Sequence, residues 1–139
     1  LGGRDPFIGF HVKTDRLREA VTQGLMSHLL RLRQRYVEGS GGAEATTILL
    51  PLSITSILPL LRGVQRLLGR PVLSHSDAMI KDVAEQLTLD LQGLLDVLLL
   101  KRGQISPGPQ EIPRLFDRYL QAVTLLTRAV EQLSLSGQR

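Results

Sequence analysis

The chain has 139 residues, of which 42% are hydrophobic and only 4% aromatic, so it is long enough to form one domain with a hydrophobic core. It contains no cysteine, which excludes disulfide frameworks, thiolate nucleophiles and cysteine-based zinc sites. Its net charge of +4 invites a nucleic-acid interpretation, but residues 77–100 carry five acidic groups and one basic group, so part of the positive charge can pair within the chain.

The N-terminal stretch, residues 1–13, combines glycines and a proline with apolar side chains. The glycines and Pro6 predict an extended arm rather than a helix. Phe7, Ile8 and Phe10 are too apolar for a solvated tail, so we expect the arm to lie on a hydrophobic surface. That surface is either the chain's own bundle or a partner.

The first helix is predicted from about residue 14 to residue 37. Its apolar spacing places Leu25 and Leu29 on the inner face, with His28 beside them as a hydrogen-bonded helix histidine. Arginines follow at positions 31, 33 and 35, where such side chains usually flank an apolar stripe.

Residues 39–42, Gly-Ser-Gly-Gly, have the composition of a flexible linker. Two origins remain open: a natural loop or an engineered connection. In the second case the segment either replaces a disordered loop or joins residues 1–38, as a tethered partner segment, to a domain formed by residues 43–139.

The second helical region covers residues 44–69. Pro51 and Pro59 predict a kink or break, with the regular part of the helix starting at Ser56. Arg62, Arg66 and Arg70 recur every four residues and therefore share one side of this helix.

The element around which we expect the fold to be organised is a single helix over residues 76–101. Its apolar positions are spaced 4, 3, 4, 3, 4, which is typical of a helix packed against other helices. These positions are Ile80, Ala84, Leu87, Leu91, Leu94 and Leu98. Leu89 and Leu100 lie about 180° from this seam.

After a loop rich in proline and glycine, a last helix is predicted from Pro113 to about residue 135, with Leu125 away from its apolar face. The fold class that follows is all-α. We expect residues 14–139 to form a single up-and-down bundle of four long helices, with the second one broken at its prolines.

Catalytic chemistry has little support in the sequence. The three histidines, at positions 11, 28 and 75, show no metal-binding or catalytic spacing, and Ser76 and Asp77 are expected helix caps. The glycine-rich run is not followed by the Lys-Ser/Thr of a phosphate-binding loop. We therefore expect a protein that is not an enzyme and that uses neither cofactor nor metal.

Apolar residues that lie away from the inner faces of their helices suggest a binding function. They are either covered on both sides of their helices or form a groove for an amphipathic partner helix. The second interpretation predicts a non-catalytic protein–protein interaction module, a scaffold or adaptor, that binds an amphipathic helix or apolar segment. The candidate partner-binding residues are Phe7, Ile8, Phe10, Leu25, Leu29, Leu89, Leu100 and Leu125.

The alternative is a basic helical domain that binds nucleic acid or an anionic membrane surface. Its candidate residues are Arg31, Arg33, Arg35, Arg62, Arg66 and Arg70. The arginines are not interleaved with stacking aromatics, and no helix-turn-helix spacing is evident, so this function ranks second. The absence of cysteine and of a signal-peptide pattern favours an intracellular compartment, cytoplasmic or nuclear.

Overall fold

The structure, a computed structural model, describes residues 6–39, 48–71 and 73–136, and side chains over residues 15–35, 48–71 and 73–133. The described residues form five helices and no strand, which confirms the all-α prediction. The helices are α1 (Pro6–Gly39), α2 (Leu50–Leu67), α3 (Ser76–Leu87), α4 (Gln92–Lys101) and α5 (Ile112–Ser136).

Four of the helices form a closed ring. α1 packs against α2 and α5, and α4 packs against α5 and α2. α3 lies outside this ring, in contact with α2 and α4. One hydrophobic cluster fills the centre, and its largest fully buried side chains are those of Tyr119 and Phe116. The arrangement has the four corners of a helical bundle, with a fifth helix added to one side.

The predicted extended arm is wrong from Pro6 onward, because residues 6–13 form the first turns of α1. Pro6 suits the first helical position, where its missing N–H needs no partner and its φ is already helical. Once a helix is nucleated, each added residue gains a hydrogen bond, which offsets the roughly 1 kcal/mol cost of Gly9. Residues 1–5 lie outside the described part of the chain.

The predicted break in the second region is also absent. α2 runs without interruption from Leu50 to Leu67, with Pro51 in its first turn and Pro59 inside it. An interior proline removes one backbone hydrogen bond and costs about 3 kcal/mol. Burial of Ile57 and Leu61, on both sides of Pro59, offsets that cost by holding the two halves of the helix on one core.

The predicted single helix over residues 76–101 is instead two helices, α3 and α4, so the described chain has five helices and not four. Thr88 adopts a left-handed conformation (φ 54°, ψ 54°) and ends α3. Its N–H bonds the carbonyl oxygen of Glu85, and the N–H of Leu89 bonds that of Ala84. These two bonds form a Schellman motif, with threonine where glycine is usual.

The two helices fold back on each other. Asp77, in the first turn of α3, and Arg102, just after α4, line the same cavity. In a continuous helix the 25-residue separation would place them about 38 Å apart. Residues 40–42 of the proposed linker lie outside the described residues, so the origin of that segment stays open.

Candidate functional site

The groove between α1 and α2 contains the best candidate site, and the two helices are antiparallel there. Gly63 of α2 faces Val21 of α1, and Gly24 of α1 faces Leu60 of α2. A Cβ atom on Gly63 would lie 2.5 Å from Val21 Cγ2, and one on Gly24 would lie 2.6 Å from Leu60 Cδ2. The absence of a side chain at both positions therefore lets the helices approach closely.

A chain of three buried polar groups crosses the bundle at the floor of the groove. His28 Nε2 is 2.7 Å from Ser53 Oγ, and Ser53 Oγ is 2.7 Å from Tyr119 Oη. The three residues belong to α1, α2 and α5. His28 and Ser53 are each 7% exposed, and Tyr119 is fully buried. A serine hydroxyl can donate one hydrogen bond and accept another, so Ser53 satisfies both neighbours at once.

Burial determines the charge state of His28 and Tyr119. Desolvation lowers the pKa of His28, and the nearby Arg31 guanidinium lowers it further. Desolvation raises the pKa of Tyr119 well above its ordinary value, although its hydrogen bond with Ser53 opposes the shift. Both groups are therefore neutral near pH 7, and one consistent direction has Tyr119 donating to Ser53 and Ser53 donating to His28.

A hydroxyl bonded to an imidazole is also the first element of nucleophilic catalysis. Ser53 is held by Tyr119 in addition, which restrains its hydroxyl. We interpret the three groups as a structural connection between α1, α2 and α5 that fixes the floor of the groove.

Above this floor lies an open cavity of about 230 Å³. The α2 wall combines two leucines with two serines, and the α1 wall ends in two cationic side chains. The lining residues are His28, Arg31, Leu32, Arg35, Leu49, Leu52, Ser53 and Ser56.

Large apolar side chains are exposed on α2 and just before it. Leu52 is 63% exposed and lines the cavity, and Ile48, one turn earlier, is 59% exposed. Large apolar side chains exposed beside a cavity are typical of binding surfaces. Neither residue could be selected from the sequence, because the predicted break placed both of them outside the regular part of the helix.

The six arginine candidates do not form one patch. α1 and α2 are adjacent, but their antiparallel register places Arg31 at the Ser53 end of α2, roughly 15–20 Å along the helices from Arg62. Arg35 and Arg66 are further apart. Arg31 and Arg35 line the cavity, whereas Arg70 pairs with Asp82 at 3.0 Å. That pairing, followed by a bond from Gln65, lowers the pKa of Asp82.

The apolar partner-binding candidates are divided among three environments. Leu25 and Leu29 are buried in the core beside Val21, so they are not available as a surface while the helices stay packed. Leu89 and Leu100 are half-buried against the core. Leu125 is exposed on α5. The structure does not describe the side chains of Phe7, Ile8 and Phe10, although their backbone belongs to α1.

Other features of the described residues do not suggest a further site. Asp96 pairs with Arg118 at 3.4 Å, which ties α4 to α5. No group of three or more histidine, aspartate or glutamate side chains comes together in the described regions. Within those regions, no helix combines the length and apolar character that crossing a membrane requires.

Comparison with protein-family models, with curated proteins and with solved structures gave no match to this chain.

Proposed function

We propose that the chain is a non-catalytic protein-binding module, a scaffold or adaptor, which receives an amphipathic helix of a partner protein in the groove between α1 and α2. The observation that carries the proposal is the exposure of Leu52 beside an open cavity, with Ile48 exposed one turn earlier in the chain. A helix that binds in a groove presents apolar anchors spaced three and four residues apart on one face, and that face can lie between two helical walls such as α1 and α2.

The size of the cavity favours a protein anchor over a small-molecule ligand. Sites for cofactors and drug-sized ligands usually measure about 300–1,000 Å³. The cavity of about 230 Å³ is smaller, and it is open to solvent. It suits a single large side chain projecting from a helix that lies along the groove.

Burial of the exposed apolar side chains on binding would supply enough free energy for a protein–protein interaction. Full burial of a leucine or isoleucine side chain contributes about 1.5–3 kcal/mol. Leu52 and Ile48 are each more than half exposed, so covering both supplies roughly 2–3 kcal/mol, to which the partner's own anchor adds. These amounts are sufficient for a specific but reversible interaction.

The test compares two leucines of equal exposure. Leu52, in the groove, is 63% exposed, and Leu30, on α1, is 64% exposed. Leu30 is two residues from His28 and so points about 160° away from the groove. Each is changed to glutamine, and binding of a neutral amphipathic helical peptide of leucine, alanine and glutamine is followed by NMR chemical-shift titration.

We expect the shifts to concentrate on α1 and α2 beside the cavity. Leu52→Gln should weaken binding about fivefold, which corresponds to about 1 kcal/mol, and Leu30→Gln should leave it unchanged. Absence of binding, or equal losses in the two variants, would refute the groove as the binding surface.

The proposal extends to connectivity and location. We propose up-and-down connectivity for the bundle, supported by the antiparallel α1–α2 pair and by the return of α4 along α3. We also propose an intracellular compartment, supported by the absence of cysteine from the chain.

A further inference from the structure

The residues that line the cavity carry charge of one sign only. Residues 20–37 of α1, which include the α1 residues that line the cavity, contain no aspartate or glutamate, although Glu38 follows directly, and no residue of α2 is acidic. Arg31, Arg33 and Arg35 lie on α1 within the same stretch. The acidic residues of positions 77–100 lie on α3, on α4 or on the short segment between them, on the far side of α2 from α1.

Arg31 and Arg35 are the two cations placed to act on an occupant of the groove. They are one helical turn apart, and both line the cavity. Among the side chains that the structure describes, arginine ion pairs form at Arg18, Arg70 and Arg118, and neither Arg31 nor Arg35 pairs with a described carboxylate. The positive charge of Arg31 also lowers the pKa of His28, as the second cause after burial, so Arg31 acts electrostatically on the floor of the groove.

We infer that the partner segment is acidic: it places an apolar anchor in the cavity and, about one turn away, carboxylates that Arg31 and Arg35 bind. This inference rests on the proposed function. A guanidinium group can hold a carboxylate through two parallel hydrogen bonds, which fixes orientation as well as adding affinity. The leucines of the α2 wall and the arginines of the α1 wall together match a helix with one leucine-rich side and one glutamate-rich side.

An anionic polymer or membrane would use the same arginines but fits the surface less well. Binding to a phosphate backbone requires several cations along a continuous path. The register of α1 and α2 separates Arg31 from Arg62 by roughly 15–20 Å, with the largely apolar α1–α2 contact between them. An acidic helix needs only the local pair of arginines and the adjacent cavity.

The experiment uses two helical peptides that differ only in charge. Both carry leucines spaced three and four residues apart, and one has glutamate where the other has glutamine on the adjoining side. Affinities are measured by fluorescence anisotropy for the unmodified protein, for Arg31→Gln/Arg35→Gln, and for the control Arg62→Gln/Arg66→Gln. All four arginines are exposed, so the variants should keep the fold, which circular dichroism checks.

We expect the glutamate peptide to bind the unmodified protein about tenfold more tightly than the glutamine peptide at low salt, a difference of about 1.4 kcal/mol. The preference should disappear in Arg31→Gln/Arg35→Gln, persist in Arg62→Gln/Arg66→Gln and decrease as salt is raised.

Equal affinity for the two peptides would overturn the inference and leave the proposed function standing. Loss of the preference in the Arg62/Arg66 variant instead would also overturn it. If neither peptide binds while duplex DNA or anionic vesicles bind through Arg31 and Arg35, both the inference and the proposed function are wrong.

Discussion

Replacement of Ser53 by alanine is the most informative single perturbation of the groove. The hydroxyl of Ser53 is the common partner of His28 Nε2 and Tyr119 Oη, each at 2.7 Å. No buried polar side-chain atom in the described part of the chain lacks a hydrogen-bond partner. Ser53→Ala would leave two such atoms without their partner, because a methyl group can neither donate nor accept.

The expected magnitude follows from the burial of the two neighbours. A buried polar group left unsatisfied costs about 1–3 kcal/mol. Tyr119 is fully buried and bears the whole penalty, whereas His28 borders the open cavity and can recover part of it from water. Ser53→Ala should therefore lower the free energy of unfolding by about 2–4 kcal/mol.

The decisive measurement is the effect of Tyr119→Phe in two backgrounds. In the unmodified protein Tyr119→Phe removes one hydrogen bond and should cost about 0.5–1.5 kcal/mol. In the Ser53→Ala background it removes an unsatisfied hydroxyl and should stabilise the protein by about 1 kcal/mol. Urea unfolding at pH 7 of the four proteins gives both values. If the two substitutions add, the three groups do not form a connected chain and the reasoning is refuted.

Three further predictions test the fold and the charge state of the floor. Thr88→Gly should raise the free energy of unfolding by about 1 kcal/mol, because glycine adopts the left-handed conformation without strain; a loss of stability in urea unfolding would instead indicate a continuous helix. Gly93→Ala should lower the melting temperature, at a cost of about 1–3 kcal/mol, because a Cβ would meet the carbonyl oxygen of Arg118 and approach the Cα of Tyr119 to 2.9 Å. The control Gly108→Ala, with open space around it, should leave the melting temperature nearly unchanged. Folding lowers the pKa of buried His28, so its contribution to stability is complete above the unfolded pKa of about 6.5 and is lost as the pH falls toward the folded pKa. Urea unfolding between pH 7.5 and 5 should therefore show a steeper loss of unfolding free energy for the unmodified protein than for His28→Gln. Identical slopes of unfolding free energy against pH would contradict this assignment.

The sequence was sufficient to predict the fold class but not where the helices end. The apolar spacing of Ile80, Leu87, Leu91 and Leu98 stays in phase through the break at Thr88, because α3 and α4 fold back and bury their apolar sides in the same core. Threonine is an uncommon residue in the left-handed position, so the usual glycine signal is missing. The one local sign is Asp90, whose side chain accepts a bond from the N–H of Gln92 at the start of α4.

The components of the site could be predicted only in part. His28 was expected to be hydrogen-bonded, but its partner lies 25 residues away and depends on the register of two helices. Tyr119 occupies a core position of α5, where a hydroxyl requires a partner, and Ser53 occupies a core position of α2 beside Ile54. Those two facts indicate that a buried polar contact exists. They do not indicate that the two residues meet, because the helix pairing comes from tertiary packing alone.

The pairing of α1 with α5 has a consequence for synthesis of the chain. α5 begins about 70 residues after α1 ends, although the two helices are neighbours in the ring. A ribosome that adds about 5–20 residues per second needs roughly 4–15 s to cover that interval. Throughout it, the side of α1 that α5 will cover has no native partner. The nascent chain is therefore most prone to aggregate, and most accessible to chaperones, in the seconds before its last helix emerges.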